Sequence, residues 1–231
     1  METTQNLPEE EKKTPKARYL SFDQQIGKMK LAFDNATLPS VFTAMKTVGF
    51  TNERIKELQN SVTNLETLQQ AQTKEYAEQF SETEKLNTQR TQIDEIYLMH
   101  RNLCKVFLKT NTLARAALKL DQHKSIAYDA WFQEVKNFYG QLTTTPNLQE
   151  DIKTIGITAD IVNKQLIDLN KLQSVKESQR KELAEAQQAT DARDKAFDEL
   201  YPIYSEFIKY ARILLADDQA LEAIGVKVKA K

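Results

Sequence analysis

MKTVGFT at residues 45–51 returns as IKTIGIT at residues 152–158, and the reading of this pair decides the fold. In each copy a glycine, Gly49 or Gly156, is followed two positions on by a threonine, Thr51 or Thr158. Glycine takes the left-handed conformation that ends a helix at the least steric cost. A threonine side chain accepts a hydrogen bond from the free backbone N–H groups that open the next helix. Glu53 and Asp160 then fall at the second helical position, where a carboxylate faces the positive end of the helix dipole. Phe50 and Ile157 stand before the caps at the spacing that lets them pack on Ile55 and Val162, a hydrophobic staple. The pair thus predicts one device used twice: helix stop, tight turn, helix start. A lysine and a threonine near a glycine also suggest a phosphate-binding loop, but that loop needs more glycines and a Gly-Lys-Ser/Thr run, which are missing.

Working outward, the similarity extends well past the seven residues. Sliding the chain on itself by 107 positions pairs residues 39–118 with 146–225, and sixteen of the eighty pairs are identical. Average usage gives about five. Upstream, at a shift of 106, FDQQIGKMKLAF falls on YDAWFQEVKNFY, so that Phe22, Ile26, Met29 and Phe33 meet Tyr128, Phe132, Val135 and Tyr139. A short helix is expected to begin at Pro39 and again at Pro146. Ser21 and Gln24 have the spacing of a capping box that opens the first helix.

Downstream of each cap lies a run with few breakers. Residues 51–111 contain neither Gly nor Pro, and 158–217 contain Pro202 alone. Apolar residues gather at the two ends of each run, as in Ile55–Leu68 and Ile93–Leu108, around a polar middle rich in helix formers. Each run is either a hairpin of two helices or one helix about 90 Å long. The absence of turn residues favours the single helix. Ala184, Ala186, Ala189, Ala192 and Ala196 would let a partner approach closely, and Pro202 should kink its helix. Antiparallel pairing would bring the start of one long helix beside the end of the other. The expected fold class is therefore all-α: an internally duplicated helical bundle with two long antiparallel helices, elongated and pseudo-twofold. Residues 1–18 read as a disordered tail, 19–122 and 123–226 as two repeats intertwined in one unit, and 227–231 as a frayed end.

Composition narrows the functional classes. Net charge is −1, which supplies no field to recruit nucleic acid or an acidic membrane. One cysteine, Cys104, precludes an intramolecular disulfide, and no stretch approaches the ~18 apolar residues of a membrane span. With no apolar leader-like run near residue 1, the expected location is cytoplasmic. His100 and Cys104 share a helix face at metal-ligand spacing, but two ligands do not make a zinc site, and the repeat places Phe207 and Ala211 there. No Glu-x-x-His pair of the di-iron type exists. Cys104 sits among Leu103, Phe107 and Leu108, where a thiol is normally inert. Asp94, Glu95, Asp198 and Glu199 lie near the apolar ends and could pair between them. No catalytic, cofactor or metal residue is assigned. The aromatic stripe Trp131, Phe132, Phe138 and Tyr139 packs as core or lines a ligand pocket in the second repeat.

The doubled unit carries KT-x-G-x-T before a KE-x-AE helix, then CKVFLK in one copy and ARILLADDQALEAIGV in the other. In this it resembles a group of duplicated all-helical bacterial proteins of the Bacteroidetes type, over most of residues 20–226. The resemblance implies a helical fold and brings no activity, cofactor or site residue. The expected function is a non-enzymatic structural or protein-interaction role, through a protein partner or self-association. The alternative is a small-molecule-binding bundle.

Overall fold

The computed structural model describes residues 20–145 and 147–228. The tail expected at 1–18, Pro146 and the last three residues lie outside the described residues. The described chain is helical. In order come α1 (Phe22–Asn35), α2 (Pro39–Met45) with a 3-10 turn at Lys46–Val48, α3 (Asn52–Phe107), α4 (Thr112–Ala117), α5 (Tyr128–Thr144), α6 (Leu148–Lys153), α7 (Ala159–Leu214) and α8 (Asp218–Ala223). Helices α3 and α7 are unbroken, each of 56 residues. Their bounds lie 107 positions apart, the shift of the sequence alignment. Among the described residues, no helix is long and apolar enough to cross a membrane.

The helix starts and stops follow the local chemistry. Ser21 accepts from the Gln24 amide at 3.2 Å while Gln24 Oε1 accepts from the Ser21 amide at 3.0 Å, a complete capping box. Thr51 Oγ1 accepts from the Arg54 amide and Thr158 Oγ1 from the Ile161 amide, at 3.3 and 3.4 Å. Gly49 and Gly156 take φ of 93° and 86°, so the chain turns where the left-handed conformation is cheapest. Asp217 caps α8 by accepting from the Gln219 amide at 3.0 Å.

Two compact units result, and neither is a single repeat. One runs up to Thr67 and resumes at Asp194; the other spans Leu68–Arg193. The first core joins Met29 and Phe33 of α1, Val41 and Met45 of α2, and Ile55, Leu58, Val62 and Leu65 from the head of α3. Leu200, Phe207, Ala211 and Leu215 join it from the tail of α7 and the residue that follows it, and Ala220, Ile224 and Val226 from α8 and the residues after it. Phe207 stands edge-on to both Phe33 and Phe50, at 5.5 and 5.0 Å between centroids. The second core reverses the roles. Ile93, Tyr97 and Cys104 come from the tail of α3, and Val162, Leu169, Leu172 and Val175 from the head of α7, under α5 and α6. In each unit the head of one long helix packs with the tail of the other, and the helix order of the first unit (α1, α2, head of α3, tail of α7, α8) returns in the second (α5, α6, head of α7, tail of α3, α4).

The middles are helical without being apolar. Along α3 the buried or half-buried positions include Leu65, Gln72, Gln79, Leu86, Ile93 and His100, seven residues apart; along α7 they include Leu172, Gln179, Ala186, Arg193, Leu200 and Phe207. Gln179 Nε2 donates to Thr83 Oγ1 and Arg193 to Gln69 Oε1, both at 3.4 Å. Of the five alanines expected to allow close approach, Ala186 is buried and Ala189 and Ala196 are half-buried. Ala184 and Ala192 face outward, because they lie off that face. Pro202 sits inside α7 on an exposed face and does not end the helix.

Candidate functional site

The residues with the most chemical potential are committed to holding the second unit together. Cys104 is fully buried, and burial pushes its thiol up to about 12, so it carries no thiolate at neutral pH. His100 Nδ1 lies 3.0 Å from Tyr139 Oη, and burial holds the imidazole below its usual pKa. Tyr97 donates to Glu134 Oε1 at 2.7 Å, and the Ser125 amide donates to Glu134 Oε2 at 2.8 Å. Burial opposes the Glu134 carboxylate, but these bonds outweigh it and keep its pKa below the ordinary value. Asp94 accepts from Trp131 Nε1 at 2.7 Å and from Lys124 Nζ at 2.6 Å. Arg101, itself buried, donates to the carbonyls of Lys119, Leu120 and Gln122. Asp94 and Arg101 on α3 thus clasp the segment that leads into α5. Asp94 serves within one unit, where the sequence had suggested pairing between the apolar ends.

His100 gives a pH prediction with a definite sign. Its folded pKa lies below the unfolded 6.5, so above that pH the ring is neutral in both states and the full stability is present. As pH falls through 6.5, the unfolded chain takes up a proton that the folded chain resists, and stability declines. His100→Asn keeps an acceptor near Tyr139 and removes the titration. Unfolding in denaturant at pH 7.5 and 5.5 should show wild type losing more stability than the variant, by up to about 1.4 kcal/mol per pH unit. Equal losses would contradict the assignment.

The four aromatic residues singled out in the sequence are buried: Trp131 and Tyr139 completely, Phe138 and Phe132 nearly so. Tyr97 and Phe138 pack edge to face at 5.2 Å, as do Phe138 and Tyr139. Phe132 alone of the four also borders a groove of about 270 Å3, with Tyr128 and Lys136 on α5 and Gln173, Lys176 and Arg180 on α7. Lys176 Nζ lies 5.2 Å from the Tyr128 ring centroid, and the Arg90 guanidinium 5.7 Å. Tyr128 Oη is buried and has no hydrogen-bond partner.

Two further arrangements were not legible in the sequence. Carboxylates of Glu75, Glu182 and Glu185 gather within 4.8 Å of one another, half-buried. Lys74, 3.6 Å from Glu75, and Lys181, 3.3 Å from Glu185, supply countercharge. A second groove, of about 460 Å3, is lined by Gln89, Gln92, Ile93, Lys164, Gln165 and Lys171 among others. Gln165 is almost wholly buried and its Oε1 has no partner, whereas the matching residue in the first repeat is Leu58.

An apolar stripe in the second unit lies exposed along the end of α3. Met99, Leu103, Val106 and Phe107 recur at i, i+4, i+7 and i+8 with 52%, 40%, 79% and 42% of their surface open. With Asn102 and Ile155 they border an open, mainly apolar groove of about 490 Å3. Such a stripe on a helix has the form of a helix-docking face. No family model, curated protein or solved structure matches this chain.

Proposed function

We propose that the chain is a non-enzymatic helical interaction protein that associates with a second copy of itself through the stripe Met99, Leu103, Val106 and Phe107. The observation that carries this reading is the stripe itself: four large apolar side chains in helical register left open to water, beside a core that has buried their neighbours. Leaving Val106 four-fifths exposed forgoes about 1–2 kcal/mol of burial that a partner would recover. The flanking charges favour a second copy. Exposed Glu95 precedes the stripe by one turn, and exposed Lys109 follows it. Antiparallel apposition about Asn102 and Leu103 sets Glu95 of one copy against Lys109 of the other, twice over, as a twofold interface requires. The catalytically capable groups lend no competing support, since His100, Cys104, Glu134 and Asp94 are held in core contacts.

Val106→Glu places a charge in the most exposed position of the stripe without disturbing a buried contact. Sedimentation of the wild-type chain at tens of micromolar is expected to show a dimer, and the variant a monomer with unchanged helicity. A wild-type chain that stays monomeric, or a variant that dimerises equally well, would overturn the reading.

A further inference from the structure

The groove between α5 and α7 has an internal control in the same chain. The repeat alignment sets Lys136 on Lys30, Tyr128 on Phe22, Gln173 on Glu66, Lys176 on Gln69, Arg180 on Thr73 and Arg90 on Phe197. In the first unit, Lys30 Nζ lies 2.9 and 2.8 Å from the two oxygens of Glu66. Beside it the Phe22 ring packs on Phe197 at 4.9 Å. There the fold supplies its own carboxylate to the lysine and its own ring to the aromatic wall.

In the second unit both are replaced. Gln173 stands where the carboxylate was, and Lys136 has neither an ion-pair nor a hydrogen-bond partner among the described residues. Arg180 is in the same position. Arg90 takes the place of the Phe197 ring and lies over Tyr128, with Lys176 5.2 Å from that ring. Four of these exchanges shift the site toward positive charge, and one, Gln70 to Glu177, shifts it back. Asp129 is matched by Asp23 and changes nothing. Glu177, also in the lining, accepts from Gln173 Nε2 at 3.4 Å. The result is a basic groove with an aromatic floor and a buried, unpartnered Tyr128 hydroxyl.

We propose that this groove binds a small organic anion whose carboxylate or phosphate sits beside a planar ring. The anionic group takes on Lys136 and Arg180 the place that Glu66 takes on Lys30, and the ring lies against Tyr128 and Phe132. A volume of about 270 Å3 is at the small end for ligand sites, which suits one ring or a fused pair. This site uses residues separate from the Met99–Phe107 stripe, so the two proposals stand or fall independently.

Trp131, whose ring lies 6.0 Å from Tyr128, is the single tryptophan and reports on the groove. The full chain is titrated with salicylate and with phenyl phosphate, following Trp131 fluorescence and heat in parallel. Salicylamide and inorganic phosphate serve as the uncharged and ringless comparators. Saturable binding of at least one of the two aromatic anions is expected, about tenfold or more tighter than its comparator. Binding of salicylate alone assigns a carboxylate ligand, and binding of phenyl phosphate alone a phosphate. Gln173→Glu restores the internal carboxylate and should weaken binding about tenfold or more, as should Lys136→Gln. Both positions are exposed, and unchanged circular dichroism checks that the variants fold. No saturable change up to about 10 mM, equal affinity for the comparators, or unaltered binding by Gln173→Glu overturns the proposal.

Discussion

Glu78→Pro is expected to cost the protein about 3 kcal/mol or more, although Glu78 is exposed and far from either apolar end. Proline at 78 removes the amide that bonds the Lys74 carbonyl and pushes its ring into the preceding turn. The companion change Glu78→Ala loses the same ion pair with Lys74 and should stay within about 0.5 kcal/mol of wild type. The contrast isolates the backbone. If the polar middle of 51–111 folded as a hairpin, a proline near its turn would be tolerated. Chemical denaturation of the two variants reads the difference, and near-equal midpoints would show that α3 is not continuous there.

Trp131→Ala should be costly for a different reason. The side chain is fully buried, and removing it leaves a cavity that the surrounding core closes only in part, at about 3–5 kcal/mol. Asp94 Oδ1 would also lose its donor, while Oδ2 keeps Lys124. Trp131→Phe, which fills most of the volume but cannot donate, should cost about 1–3 kcal/mol. Equilibrium unfolding measures both. A loss below about 1 kcal/mol for the alanine variant would mean that Trp131 faces a roomy pocket and is not core.

What the sequence discloses here is what local chemistry determines. Ser21, Thr51, Thr158 and Asp217 are caps because each offers an oxygen where free amides begin. Gly49 and Gly156 are turns because their backbone must be left-handed. The continuity of α3 follows from the lack of any residue able to turn the chain. Pro202 shows the limit of that argument, since it lies in α7 without ending it. Its missing amide falls on an exposed face, beside Asp198, where the freed carbonyl can reach water.

Interactions between distant residues stayed hidden. Nothing local to Asp94 points to Trp131, and nothing local to Arg101 points to the carbonyls of 119–122. The glutamate at 75 lies far along the chain from those at 182 and 185, on the other long helix, and their gathering depends on which faces meet. The basic groove was half-visible. Aligning the repeats shows a glutamate at 66 becoming a glutamine at 173 and two uncharged residues becoming Lys176 and Arg180. Its meaning emerges once Lys30 is seen to need that glutamate. The aromatic stripe shows the converse: Trp131, Phe138 and Tyr139 went into the core, and Tyr128, three residues before Trp131, took the groove.

Each core is drawn from the head of one long helix and the tail of the other, an exchange by which each core takes side chains from both repeats. Residues 1–122 alone keep Met29, Phe33, Ile55 and Leu65 but lack Leu200, Phe207, Ala211 and Leu215; residues 123–231 lack Ile93, Tyr97 and Cys104. An amphipathic helix stripped of its packing partner is marginal in water. The deciding measurement is thermal unfolding, by circular dichroism with mass determined by light scattering, of the two halves made separately and then mixed. Neither half should unfold cooperatively as a monomer, and an equimolar mixture should form a one-to-one complex with a cooperative transition. A cooperative, monomeric melt from either half on its own would contradict the exchange.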